Sequence, residues 1–139
     1  LASGELQAAM MPDPLSNLAI QEGAIVVIDD TTHPEYAYST YSFRLPVIEQ
    51  QPNAIRGFLA AIDEAIALVN ADPTAWDSLL TEQSLVPAPL IGSYEIPLFP
   101  TASVPSQAQW DDALAWAREN ELVSTEIAYG DSVTSAYLP

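Results

Sequence analysis

The chain has no cysteine and no lysine, a single histidine (His33), five glycines and three arginines. Each scarcity excludes something. Without cysteine there is no disulfide, no thiolate nucleophile and no thiolate-held zinc or iron–sulfur site. The same absence suits a reducing compartment, or an exported domain large enough to need no cross-links. Three arginines against 19 acidic residues leave a net charge of −16. A chain so poor in cations cannot neutralise a row of phosphates, so nucleic acid and anionic membrane surfaces drop out as partners. No apolar run reaches the length of a membrane span, and no basic-then-apolar leader is present.

What is there points to a folded domain. Hydrophobic residues make up 49% of 139 residues, enough for one core and too short a chain for two comfortable domains. The acids are dispersed, never more than two in a run, and read as a solvated surface. Residues 6–11 form a short apolar stretch running into Pro12-Asp13-Pro14. Leu15, Leu18 and Ala19 then fall at helical spacing, and Glu22-Gly23 supplies a left-handed stop. Residues 24–28 (Ala-Ile-Val-Val-Ile) are apolar throughout, the pattern of a strand buried on both faces. Residues 36–43 alternate aromatic and small polar side chains, which predicts a strand or extended crossover. The expected fold class is therefore α/β: a few strands, part of a layer whose partners lie elsewhere, followed by mostly helices.

After Pro46 the pattern turns helical. Ile55, Phe58, Leu59, Ile62, Ile66 and Val69 recur at steps of three and four, with Pro52 suited to a first turn and Pro73 forbidding continuation past Asp72. This predicts an amphipathic helix of about five turns. Asp72-Pro73 reads as a fresh cap and first-turn proline opening a shorter helix that buries Trp76, Leu79 and Leu80. Residues 87–105 hold five of the twelve prolines and predict an extended loop anchored by Leu90, Ile91, Tyr94, Ile96, Leu98 and Phe99. Ser106 and Gln109 have capping-box spacing ahead of Trp110, Ala113, Leu114 and Ala117. Val133, Tyr137 and Leu138 are available to dock the tail.

Met10, Met11 and Asp13 form the leading candidate site, because a helix amino end offers free N–H groups and a positive dipole to a polar or anionic ligand. Asp13 equally suits a helix cap, with Met10 and Met11 in the core. Tyr38 and Tyr41, with Tyr36, can present rings and hydroxyls to a ligand, or pack as an aromatic stripe under the helices. Arg44 follows the expected crossover and can pair bidentately with an anionic ligand, or with a structural acid. Asp29, Asp30, His33 and Glu35 match no established metal loop and read as a solvated turn, so no metal and no cofactor are expected. No Gly-x-Ser-x-Gly elbow accompanies His33, which excludes a serine triad, and no catalytic residue is expected.

The order of these phrases resembles one family. Leu1, Gly4, Leu6, Ala8, Asp13, Pro14 and Gly23, then Phe58, Leu59, Ala61 and Ala65, then Tyr94-Glu95-Ile96-Pro97 through Trp110 to residues 131–138, are similar to the closing part of ABC-importer substrate-binding proteins. These are the two-lobed proteins that serve nitrate, sulfonates, taurine and pyrimidine precursors of thiamine. The resemblance covers the whole chain and roughly the last two-fifths of such a protein. The family's lipid-attachment cysteine and first-lobe strands have no counterpart here.

The resemblance implies residues 1–45 as the end of the second lobe with the hinge crossover, and residues 46–139 as a helical part packing on the first lobe. It implies an extracytoplasmic protein that captures a small molecule for an ABC permease by closing around it. Two alternatives stand beside it: a pyrimidine-synthesis enzyme on the same scaffold, which in that family needs a Cys-rich motif absent here, and a stand-alone helical interaction module. Residues 24–28 and the stripe on the long helix call for apolar partners, so the chain is expected to form a homodimer or to exchange segments between copies.

Overall fold

The computed structural model describes residue 1, residues 3–29 and residues 39–139. These residues divide into two compact units. The first comprises Leu1–Asp29 with Ala67–Phe99, and the second Asp30–Ile66 with Pro100–Pro139. Six α-helices occur among the described residues: α1 (Leu15–Gln21), α2 (Leu45–Gln50), α3 (Pro52–Ala71), α4 (Asp77–Glu82), α5 (Gln107–Glu119) and α6 (Tyr129–Ser132). Short 3₁₀ turns at Pro73–Trp76 and Ala88–Leu90 complete the regular structure.

The α/β expectation is overturned. No strand forms among the described residues, and residues 6–11, 24–28 and 39–43 are without regular structure. The reason is that a strand's N–H and C=O groups must be met by a neighbouring strand, and a lone extended segment gains nothing from being regular. Residues 24–28 have the composition of a buried strand, yet Ile25, Val27 and Ile28 are 87%, 86% and 88% exposed. Residues 36–38 of the expected crossover lie outside the described residues.

The expected helices form, because a helix meets its hydrogen bonds within itself. The face of the shorter helix expected to be buried is not: Leu79 is 41% exposed, and Trp76 and Leu80 are half-buried. Helix α3 begins at Pro52 and ends at Ala71, the span bounded by the two prolines. Asp72 caps the next turn, its carboxylate accepting from the Ala75 N–H at 3.3 Å ahead of Pro73. Helix α5 opens with the complete capping box: Ser106 Oγ accepts from Gln109 N–H at 3.2 Å, and Gln109 Oε1 accepts from Ser106 N–H at 2.8 Å. Helix α1 closes through Gly23 at φ +96°. The Gly23 N–H donates to Ile20 O and the Ala24 N–H to Ala19 O, the paired bonds of a Schellman stop. Helices α4 and α5 end in the same way, with Ser84 (φ 53°) and Glu121 (φ 59°) in the left-handed position instead of glycine.

Burial is sparse. Among the described hydrophobic side chains only Ile55, Val86 and Leu90 are buried. In the first unit, α1 packs against the Ala88–Leu90 turn, and Gln21 Nε2 reaches Ser93 Oγ at 3.4 Å. Asn70, near the end of α3, grips Phe99 at both backbone groups, donating to its carbonyl at 2.8 Å and accepting from its N–H at 3.0 Å. In the second unit, Asp63 accepts from the Ala102 N–H at 3.0 Å and the Tyr129 hydroxyl donates to Pro105 O at 2.7 Å. The Arg56 guanidinium lies 5.0 Å from the centre of the Tyr137 ring, and Val133, Tyr137 and Leu138 are half-buried as docked tail residues. No helix among the described residues is long and apolar enough to cross a membrane.

The contrast between the buried and the exposed aliphatic residues is measurable by chemical denaturation. Leu90→Ala is expected to cost about 2–5 kcal/mol, since it leaves a cavity around a fully buried site. Ile25→Ala should change stability by less than about 0.5 kcal/mol, as surface substitutions do.

Candidate functional site

The first unit carries an open cavity of about 240 Å³. Its walls come from four short pieces of chain: Pro14 at the head of α1, Val69 late in α3, Trp76, Leu79 and Leu80 around the start of α4, and Leu85 to Phe99 beyond it. The last stretch supplies Tyr94, Ile96, Pro97 and Phe99. Local rules put each piece in place. The Asp72 cap starts the turn that ends on Trp76. The α4 stop turns the chain back at Ser84–Leu85, and the two Asn70 bonds hold Phe99.

The lining is aliphatic and aromatic, with the Tyr94 hydroxyl as its polar group. Burial, and then the negative charge of Asp13, hold the Tyr94 phenol above its ordinary pKa of 10.0. It therefore stays protonated through the physiological range. The unit around it is uniformly acidic, with four Asp and Glu in residues 1–29, four in residues 67–99, and neither Lys nor Arg. The indole Nε1 of Trp76 is buried with no hydrogen-bond partner among the described residues, an arrangement that generally costs about 1–3 kcal/mol. Trp110 in the second unit has the same defect. Such a lining offers burial, ring faces and one hydroxyl. It can hold a molecule, but it presents no nucleophile and no poised base.

The residues singled out from sequence are divided between the units. Met10 and Met11 lie in the first unit, and Met10 is fully exposed. Neither is a core residue. Asp13 does not cap the backbone of α1, whose N-cap is Pro14 without a side-chain bond. Its carboxylate instead accepts from the Ser16 hydroxyl and, at 3.0 Å, from Asn17 Nδ2. It borders the cavity through Pro14 and through its effect on Tyr94. Tyr41 and Arg44 belong to the second unit. The Tyr41 ring meets Phe58 edge-on at 5.2 Å, and Phe43 meets the same ring at 5.9 Å, so Phe58 organises an aromatic cluster. Arg44 is exposed at the N-cap of α2. Tyr38 lies outside the described residues, as do Asp30, His33, Glu35 and Tyr36.

Sequence reasoning missed the joint role of Trp76, Tyr94 and Phe99. It placed Trp76 on a buried helix face and the other two as loop anchors, without bringing them to one cavity. Their aromatic character was the available signal.

Over 106 residues the chain is 31% identical to the protein named Putative aliphatic sulfonates-binding protein of Escherichia coli (strain K12). The matched stretch is 76% of this chain and 33% of that protein, so the chain spans about a third of that relative's length. At a coarse level, and no finer, this similarity supports the substrate-binding protein family of ABC importers. No family model and no solved structure matches the chain.

The Tyr94 environment has a signed consequence. A phenol whose folded-state pKa is raised holds its proton more firmly in the native state, so stability falls as pH climbs past about 10. Asp13→Asn should bring the Tyr94 titration back toward its ordinary value, read by tyrosinate absorbance as the difference from Tyr94→Phe.

Proposed function

We propose that this chain is part of the solute-binding component of an ABC import system, capturing a small molecule such as a sulfonate, taurine, nitrate or a pyrimidine-like compound for delivery to a permease. The observation that carries the reading is the 31% identity to a sulfonates-binding protein over 76% of the chain. The ordered phrases from Leu1 to Gly23 and from Phe58 to Ala65 support it.

In this reading residues 1–45 form the end of the second lobe with the hinge crossover, and residues 46–139 a helical part that packs on the first lobe. The protein works outside the cytoplasm, in the periplasm or at the cell surface. Lobe closure expels water around the ligand and creates the surface that a permease recognises. Arg44 and the Asp13–Ser16–Asn17 group are candidate ligand contacts, the first for an oxyanion and the second for a hydrogen-bond donor. Met10, Met11, Tyr38 and Tyr41 complete the candidate set.

Isothermal titration against methanesulfonate, taurine, nitrate and an aminopyrimidine tests this reading. Saturable binding of one of the four is expected, weakened at least tenfold by Arg44→Ala if the ligand is an oxyanion, the loss of one charge-assisted pair. Heats indistinguishable from dilution for all four overturn it.

The exposed aliphatic surface bears on association. The chain exposes 10765 Å², whereas even two separate compact units of these lengths would expose roughly 8,500 Å² together. We propose that a second copy covers part of this area, as a homodimer or by exchange of segments. Multi-angle light scattering is expected to give twice the mass of 15.0 kDa, with more dimer as salt screens the mutual repulsion of two chains of charge −16. A monomer at every salt concentration rules out the pairing.

A further inference from the structure

The cavity of the first unit combines three features that rarely coincide by default. Trp76, Tyr94 and Phe99 all line it, so three aromatic side chains border one small volume. The remaining walls are aliphatic or proline. The unit carries eight carboxylates and no Lys or Arg, all three arginines falling in the second unit.

Each feature narrows what the cavity can hold. The negative field disfavours an anion, so the cavity is a poor seat for nitrate or a sulfonate. Apolar walls cannot replace the water shell of a bare metal ion or of ammonium, whose desolvation would go unrewarded. A cation whose charge is wrapped in methyl groups has little hydration to lose, buries apolar surface, and is attracted to the negative faces of aromatic rings. Size agrees: an apolar cavity of about 150 Å³ takes benzene, and 240 Å³ leaves room for a quaternary ammonium head.

We propose that this cavity is a binding site for a small organic cation with alkylated nitrogen, its charge held against the faces of Trp76, Tyr94 and Phe99. Asp13, whose carboxylate lies close enough for its negative charge to act on Tyr94, favours the same ligand charge. Asn70 is a positioning residue, since its two bonds to the Phe99 backbone set where that ring stands. The site lies wholly within the first unit and rests on no part of the import reading.

The probe is choline chloride, titrated calorimetrically into the protein. It is compared with the neutral alcohol in which carbon replaces the quaternary nitrogen, and with sodium methanesulfonate. One choline site is expected, with the neutral isostere bound about 3- to 30-fold more weakly, the range that cation–π contacts command. Trp76→Leu keeps an apolar wall and should reduce choline affinity by a similar factor while leaving the isostere unchanged. Asp13 is exposed, so Asp13→Asn tests the field without touching the walls. It should weaken choline about twofold, and less as salt is added. Equal binding of choline and its isostere overturns the proposal, as does methanesulfonate competing for the same site or the absence of any choline binding by folded protein. Loss of the choline site with methanesulfonate binding retained sinks this proposal alone and leaves the import reading standing.

Discussion

A backbone segment stays regular only where its N–H and C=O groups find partners, and in this chain those partners are close in sequence. A helix meets that demand within four residues. A strand meets it only through another strand. The six helices α1 to α6 and the irregular course of residues 24–28 follow from this one constraint. The Ala-Ile-Val-Val-Ile run has strand composition without strand pairing, and its side chains consequently stand in solvent.

With so few side chains buried, the ends of the helices carry much of the definition. Helices α1, α4 and α5 close with the same pair of backbone bonds, and α5 opens with a reciprocal cap. Glycine fills the left-handed position once, at Gly23, while Ser84 and Glu121 accept it elsewhere. Those stops determine where the chain turns. The α4 stop and the Asn70–Phe99 clamp together fold the proline-rich stretch back into a cavity wall. Without them Tyr94 and Phe99 would be loop residues with no common purpose.

The two units are equally acidic, with eight acids and no arginine in the first and eleven acids against three arginines in the second, a net charge of −8 each. The first is acidic throughout and holds a ring-lined cavity. The second carries every arginine, with Arg56 spent on Tyr137 and Arg44 exposed.

The sequence by itself determined whatever depends on near neighbours. Pro52, Asp72 and Pro73 bounded the long helix, Ser106 and Gln109 marked the start of α5, and Glu22-Gly23 marked the end of α1, because caps, prolines and helical periodicity act over a few residues. Only the tertiary structure decided that residues 24–28 form no strand, that Met10 lies in solvent and that Asp13 engages Ser16 and Asn17 side chains instead of capping α1. It alone gathered Trp76, Tyr94 and Phe99. Those outcomes turn on which distant groups come within reach, and a local pattern of residue types does not encode that distance.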